Sequence, residues 1–230
     1  MNKKMLSSTV FKKFIMGLTG LALVGFIITH LLGNLLLFKP DPAVFNRYSF
    51  TLASFGVGLY VAEIGLVAFI LFHAFTGIRL ALLARSARPV KYEVFRSKGG
   101  ESKWGVSSNN MAITGTAILL FIILHVIHFK YGPGIAEGYV TQIDGIETRD
   151  LHRHVIEQFK NPLIVAGYVL AMFFLGNHLR HGIWSAFQSL GLTRENNSKA
   201  IYLVGGLLAA LFAAGFIVIP IYIYFFGGQS

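Results

Sequence analysis

The sequence predicts an all-α membrane protein with five transmembrane helices. Three observations support this fold class: five apolar segments of about 20 residues or more, a charged fraction of only 13%, and basic residues gathered in the short segments between them. A soluble domain carries about 25% charged residues, so the deficit is explained if most of the surface faces lipid. We expect a single domain, 1–230, because no polar stretch is long enough to bury its own core.

The apolar segments are long enough to cross a hydrocarbon core of about 30 Å as helices. They cover approximately residues 13–38, 56–84, 110–130, 162–188 and 200–226. The first is too long for the apolar region of a signal peptide, and no small-residue cleavage site follows it. A loop rich in proline and aspartate follows the first segment, a polar loop (131–161) follows the third, and no internal repeat is apparent.

The basic residues predict the orientation of the chain. Six of the 20 lie in the first and third loops, and the other 14 lie in the N-terminus, the second and fourth loops and the adjoining helix ends. The positive-inside rule then puts the N-terminus in the cytoplasm and the C-terminus outside. This clustering also argues against nucleic acid as the reason for the net charge of +10. The absence of cysteine excludes disulfides, thiolate metal sites and covalent attachment of c-type haem.

Histidines within the predicted helices form two layers. His30 lies 8 residues and His125 5 residues before the outer ends of their helices, a depth of about 8–12 Å. His73 and His181 lie 11 and 7 residues before the inner ends of theirs, a depth of about 10–16 Å. Each layer offers two imidazoles, as a bis-histidine b-type haem requires. We therefore expect the first four helices to form a bundle around two stacked haems, which make an electron path.

The choice of ligand stays open where two histidines are three residues apart. Such residues share a helix face, so His128 can replace His125, and His178 can replace His181. The histidine that is not a ligand is expected to bond a haem propionate, a quinone or a neighbouring side chain. Ordinary packing of single histidines is the alternative, but four helices each offering one at matched depths favour haem.

Small and basic residues beside these layers are candidates for the haem surroundings. They are Gly77, Gly182, Arg79 and Arg180. Small residues permit close approach of a porphyrin, and ordinary helix packing explains them equally well. The arginines lie toward the inner face, where the propionates of an inner haem would point, and snorkelling to the interface is their alternative explanation.

Three further titratable residues draw attention. Glu63 is the only acidic residue inside a predicted span, about 10 Å from the outer end of its helix. We expect it to exchange protons with quinone near the His30 and His125 layer, unless it lies at the lipid headgroup boundary. His152 and His154 fall in the polar third loop, where solvated side chains are expected.

The sequence resembles the cytochrome b membrane-anchor subunit of succinate:quinone oxidoreductases (succinate dehydrogenase and fumarate reductase), of the single-chain, five-helix, di-haem type. The resemblance covers nearly the whole chain, and Gly176–Leu192 is its most specific part. The other segments that carry it are His30–Leu35, Phe45–Tyr48, His73–Leu80, and Thr114–Gly115 with His125.

The resemblance implies haem ligands at His30, His73, His125 and His181, with Ser185 in the haem surroundings. It implies two haem b groups and a quinone, menaquinone, as cofactors. It also implies a flavoprotein subunit and an iron–sulfur subunit docked on the cytoplasmic face of a bacterial inner membrane. The chain would carry electrons between the iron–sulfur subunit and quinone, and it has no residues for the succinate chemistry itself.

Two alternatives remain open. One is a di-haem anchor of another dehydrogenase, such as formate dehydrogenase or hydrogenase, which Gly176–Leu192 argues against. The cytochrome bc pattern, with histidines 13 or 14 residues apart on each of two helices, is absent. The other alternative is a transporter that uses intramembrane histidines and Glu63 as a proton relay and binds no haem.

Overall fold

The computed structural model describes residues 8–86 and 110–227. Within these ranges, five helices are long and apolar enough to cross a membrane: Thr9–Phe38, Val57–Ser86, Met111–Lys130, Pro162–Ser189 and Ser198–Phe226. Their ends differ from the predicted segments by no more than four residues, which confirms the prediction of five apolar helices. Most of the basic N-terminus and most of the second loop, on which the predicted orientation depends, lie outside the described residues.

The long helices alternate with shorter elements. In chain order these are α1 (Thr9–Asn34), α2 (Pro42–Ser54), α3 (Val57–Ser86), α4 (Met111–His125), β1 (Val140–Ile143), β2 (Ile146–Arg149), α5 (Leu151–Gln158), α6 (Pro162–Ser189) and α7 (Ser198–Phe226). A 3₁₀ turn, Leu35–Phe38, extends α1, and a π-helical turn, Val126–Lys130, extends α4. A second 3₁₀ turn, Ile135–Glu137, precedes β1.

The first and third loops contain secondary structure that hydrophobic segments do not predict. Asp41 caps α2 by accepting a hydrogen bond from the Ala43 N–H at 2.9 Å, and Pro42 occupies the first helical position. β1 and β2 pair antiparallel and turn at Asp144 and Gly145, which both have positive φ. An Asp-Gly pair is a strong local signal for such a hairpin turn. We call α2, the β1–β2 hairpin and α5 the cap.

Contacts between Cα atoms divide the chain into two compact units. Unit 1 consists of Met1–Gly25, Leu66–Ile118 and Phe174–Leu211, and unit 2 consists of Phe26–Gly65, Leu119–Phe173 and Phe212–Ser230. Each long helix contributes one segment to each unit, and the cap belongs to unit 2.

Small residues let the helices approach closely within each unit. In unit 1, a Cβ atom on Gly17 of α1 would lie 3.2 Å from the Ala186 carbonyl oxygen of α6. In unit 2, a Cβ atom on Gly215 of α7 would lie 2.9 Å from the side chain of Leu31 of α1. Such contacts are typical of transmembrane helices, which associate through close packing because lipid supplies no hydrophobic drive between them.

Candidate functional site

In unit 2, α1 and α4 bring His30 and His125 together. The centroids of the two imidazole rings are 5.8 Å apart, and the ring planes are nearly perpendicular. Phe26 stacks on His30 at 5.2 Å, and Phe121 stacks on His125 at 5.6 Å. The two residues that the sequence assigned to one layer are therefore neighbours, and their role as ligands stays a prediction.

In unit 1, the neighbour of His73 is His178. Their ring centroids are 6.3 Å apart. His181, which the sequence favoured as the partner of His73, makes no hydrogen bond or ring contact with any residue in the described part of the chain. His178, which the sequence had left open as an alternative to His181, is thus the histidine of α6 that lies against His73.

Two threonines hold the imidazoles of this pair in matching ways. Thr19 Oγ1 lies 3.3 Å from His73 Nδ1, and Thr114 Oγ1 lies 3.2 Å from His178 Nδ1. Each hydroxyl donates its own hydrogen to the main-chain carbonyl four residues earlier, Ile15 for Thr19 and Asn110 for Thr114, at 2.9 and 3.1 Å respectively. With its hydrogen on that carbonyl, each threonine oxygen would accept from an Nδ1–H group. A neutral imidazole protonated at Nδ1 keeps the Nε2 lone pair for a metal.

The glycine that follows each threonine makes room for the ring. A Cβ atom on Gly20 would lie 3.2 Å from His73 Cε1, and a Cβ atom on Gly115 would lie 3.2 Å from His178 Cε1. Contacts that short require the neighbour to move. The same two-residue cradle, threonine then glycine, therefore occurs on α1 and on α4.

These cradles belong to a short sequence pattern that occurs twice and that our interpretation of the sequence had missed. In both α1 and α4, Thr-Gly is followed by a histidine that lies eleven residues after the threonine: Thr19 with His30, and Thr114 with His125. Eleven residues are about three helical turns, so the threonine and the histidine share a face. The threonines of α1 and α4 therefore contact the His73–His178 pair, and the histidines of the same two helices form the His30–His125 pair.

A hydrogen-bond chain leads from His125 to the cap. Tyr168 Oη of α6 lies 3.3 Å from His125 Nδ1 and also 3.3 Å from His128 Nδ1. His128 Nε2 lies 2.8 Å from Gln158 Oε1 at the end of α5. His128, predicted as an alternative ligand, thus bonds two neighbouring side chains.

The cap is tied together by a buried asparagine. Asn46 of α2 is 1% exposed. Its Nδ2 donates to Asp150 Oδ1 at 2.8 Å, and its Oδ1 accepts from the His152 N–H at 2.9 Å. Asp150 also accepts from the Arg153 N–H at 2.9 Å. Asn46 and Asp150 together therefore satisfy amides in the first turn of α5, which the helix itself leaves unpaired.

The expectation that His152 and His154 are solvated is wrong. They are 8% and 1% exposed, because α5 is covered on two sides: His152 packs against Phe45 and His154 against Phe129. The His154 Nε2–H donates to the His128 carbonyl oxygen at 3.0 Å, and the His152 ring lies 6.4 Å from the Phe45 ring. Burial lowers the pKa of both imidazoles below the usual value for histidine. The amphipathic pattern of this segment was the signal that a polar-loop interpretation overlooked.

Glu63 has a basic partner in unit 2. Its carboxylate forms an ion pair with the Lys130 ammonium group, at the end of the π-helical turn, and both side chains are partly exposed. A carboxylate at membrane depth is expected to pair in this way.

The remaining candidates from the sequence have ordinary surroundings. Arg180 donates to the Tyr202 hydroxyl at 3.2 Å, and Arg79 is exposed. A Cβ atom on Gly77 would lie 2.9 Å from Met16 Cε, whereas one on Gly182 would meet nothing within 4 Å. Ser185 is half-buried. Their predicted places around a haem stay predictions.

Each histidine pair offers two nitrogen donors. Among the described residues, no three or more His, Cys, Asp or Glu side chains are grouped so that they could hold a metal ion. A zinc ion needs three or four protein ligands. Two imidazoles could hold a metal only if it drew its remaining ligands from another group, such as the macrocycle of a haem.

The five apolar helices define a multi-pass membrane protein. Comparison with protein-family models, with curated proteins and with solved structures finds no match for this chain.

Proposed function

We propose that the chain is a di-haem cytochrome b that anchors a succinate dehydrogenase or fumarate reductase in a bacterial inner membrane. It transfers electrons between an iron–sulfur subunit and membrane quinone. The observation that carries the haem part is the pair of interhelical histidine contacts, one in each unit, with ring centroids 5.8 and 6.3 Å apart. The enzyme family rests on the sequence resemblance, above all on Gly176–Leu192.

The ring separations fit two imidazoles that share one metal. An imidazole nitrogen lies about 2.0 Å from a first-row metal and about 1.1 Å from the centre of its own ring, given C–N bonds of ordinary length. Two imidazoles that shared one metal would therefore have ring centroids no more than about 6.2 Å apart on these values. The observed separations of 5.8 and 6.3 Å are close to this distance.

In this proposal, His30 and His125 hold one haem, and His73 and His178 hold the other. His178 replaces the sequence's choice of His181 because it lies against His73 and has its Nδ1 engaged by Thr114. When bound, haem iron accepts and releases one electron at a time. The chain's own residues would orient three of the four imidazoles through Nδ1: Thr19 at His73, Thr114 at His178 and Tyr168 at His125. Aromatic rings pack against His30 and His125.

Single substitutions distinguish the two possible ligands on α6. His178→Ala should lose half of the bound haem, and His181→Ala should keep all of it. The opposite result would restore His181 as the ligand. On α4, His125→Ala and His128→Ala form the corresponding pair, and only the first should lose haem. Haem is measured by extraction and quantified against protein.

A reduced-minus-oxidised spectrum of the purified chain tests the haem proposal as a whole. We expect the sharp bands of low-spin b haem and a stoichiometry of two per chain. A chain that contains no haem would overturn the proposal and favour a proton-relay transporter. Two haems without co-purifying flavoprotein and iron–sulfur subunits would favour the anchor of another quinone-linked dehydrogenase.

The headpiece is proposed to dock at the basic second loop. Arg85 begins this loop at the end of α3. Cross-linking of the assembled complex should join residues 85–103 to the iron–sulfur subunit, because basic loops face the cytoplasm. Cross-links confined to the polar third loop, 131–161, would reverse the proposed orientation.

Quinone protonation is proposed to use Glu63. Quinone reduction consumes two protons with two electrons, so a site away from bulk water needs a titratable neighbour. Glu63→Gln keeps the shape of the side chain but cannot ionise. We expect this variant to retain both haems and to oxidise succinate with an artificial acceptor at the headpiece, yet to lose most of its quinone-coupled turnover.

Lys130→Met provides the matched control for Glu63→Gln. If the Glu63–Lys130 contact is only a structural ion pair, the two variants should behave alike, since each removes one partner. If Glu63 exchanges protons with quinone, the glutamine variant should be the more impaired of the two. Unchanged quinone turnover in Glu63→Gln would remove this residue from the proposed site.

A further inference from the structure

The hydrogen-bond chain at His125 has a definite direction. If His125 binds a metal through Nε2, its Nδ1 carries a hydrogen and must donate it, and Tyr168 Oη is the atom at 3.3 Å. Tyr168 then donates its own single hydrogen to His128 Nδ1, also at 3.3 Å. His128 is left with its hydrogen on Nε2, which donates to Gln158 Oε1 at 2.8 Å. Every donor in the chain has one acceptor, and the last acceptor lies in the cap.

This arrangement differs from the one at the other histidine pair. The threonines that contact His73 and His178 donate their hydrogens to main-chain carbonyls four residues earlier in the chain. Tyr168 instead passes its hydrogen to a second histidine and, through it, to α5. The aromatic rings of Phe121 and Phe159, each with its centroid 5.0 Å from that of Tyr168, hold the phenol ring in position.

We propose that Tyr168 is the positioning residue for His125. Through Tyr168 and His128, Gln158 on the cap also adjusts the reduction potential of the metal that His125 binds. The inference rests on the proposed function in one respect, since it assumes that His125 binds haem iron. An imidazole that donates a hydrogen bond from Nδ1 is a more basic ligand and stabilises the oxidised metal. Removal of the acceptor should therefore raise the potential.

Tyr168→Phe is the direct test because it removes only the hydroxyl and keeps the aromatic packing. Loss of such an outer hydrogen bond lowers metal affinity about 10–100-fold. A tenfold loss that falls on the oxidised metal alone corresponds to an upward shift of about 59 mV for one electron. A redox titration followed by visible spectra should find this shift in one of the two haems. Thr114→Val should shift the other haem, and Tyr222→Phe, whose hydroxyl has no part in either site, should shift neither.

Two variants at Gln158 test the role of the cap without altering Tyr168. Gln158→Leu ends the chain at His128 and should raise the same potential by less than Tyr168→Phe does. Gln158→Glu supplies a stronger acceptor and should lower it. Gln142→Glu on β1, an exposed position, adds the same charge to the cap outside the chain and should have little effect. These variants still decide the question if Tyr168→Phe fails to assemble.

The outcomes separate this inference from the proposed function. Wild-type protein without haem would overturn the proposed function. Wild-type protein with two haems, together with Tyr168→Phe potentials equal to those of Tyr222→Phe, would overturn only the role of Tyr168. If the Gln158 variants shift the potentials of both haems equally, or by as much as Gln142→Glu does, then the cap has no part in the hydrogen-bond chain at His125.

Discussion

Replacing Asn46 with alanine should open the cap at the start of α5. The substitution removes two hydrogen bonds at a site that is 1% exposed. One is donated to the Asp150 carboxylate at 2.8 Å, and the other is accepted from the His152 N–H at 2.9 Å. Because the site is buried, water does not readily replace either partner.

The magnitude follows from the kinds of group involved. A hydrogen bond to a charged group contributes about 1.5–3 kcal/mol, and a buried amide left unsatisfied costs about 1–3 kcal/mol. We take about 3 kcal/mol as the combined loss, since such contributions are not additive between neighbours. At about 1.4 kcal/mol per factor of ten, this raises the opening equilibrium of the cap about 100-fold.

Amide hydrogen exchange in detergent or nanodiscs measures this opening directly. Amides of α5 should lose about two orders of magnitude of protection in Asn46→Ala, while α7 should be unaffected. Asn197→Ala is the matched control, because Asn197 also makes two side-chain bonds, at 2.7 and 3.0 Å, but in the exposed turn before α7. Its loss should be about 1 kcal/mol. Equal effects of the two variants on their own segments would refute the argument from burial.

Two further predictions concern the histidines. Gly115→Val should displace His178 and lose half of the haem, because even a Cβ atom at Gly115 would lie 3.2 Å from the His178 ring. Gly25→Val should lose none, because a Cβ atom at Gly25 meets nothing within 4 Å. Haem extraction compares the two variants. Because burial lowers the pKa of His154 in the folded cap, the open state binds more protons below about pH 6.5. Cap stability should therefore be constant above about pH 7 and should fall on acidification, and His154→Asn should weaken that dependence in exchange measurements on residues 131–161.

Most of the shorter elements are marked by local sequence signals, but the length of the apolar segments carries no information about these elements. Asp41 with Pro42 marks the start of α2, Asp150 marks the start of α5, and Asp144 with Gly145 marks the hairpin. Each is a capping or turn residue that acts on main-chain groups a few positions away. Such signals lie in the polar segments, which hydrophobicity does not distinguish from unstructured loops.

The choice between His178 and His181 could not be made from one sequence. Both lie on the same side of α6, three residues apart, and both are close to glycines. What distinguishes them is a threonine 64 positions earlier in the chain, which meets His178 Nδ1 and not His181. That contact depends on how α4 and α6 are rotated about their own axes. The periodicity of apolar residues does not give this rotation more finely than about 100°, which is the angle between successive residues of a helix.

The five spans and the pairing of His30 with His125 could be predicted from the sequence, because span length and residue depth both follow from a fixed rise per residue along a helix. It also singled out Glu63, because ionisable groups are costly at membrane depth. Three contacts could be found only in the folded chain: Lys130 pairs with Glu63, His178 lies beside His73, and Tyr168 links His125 to the cap. These contacts join residues far apart in the chain, and they form only when packing has fixed the rotation of each helix and brought hydroxyl, amide and imidazole groups within hydrogen-bond distance.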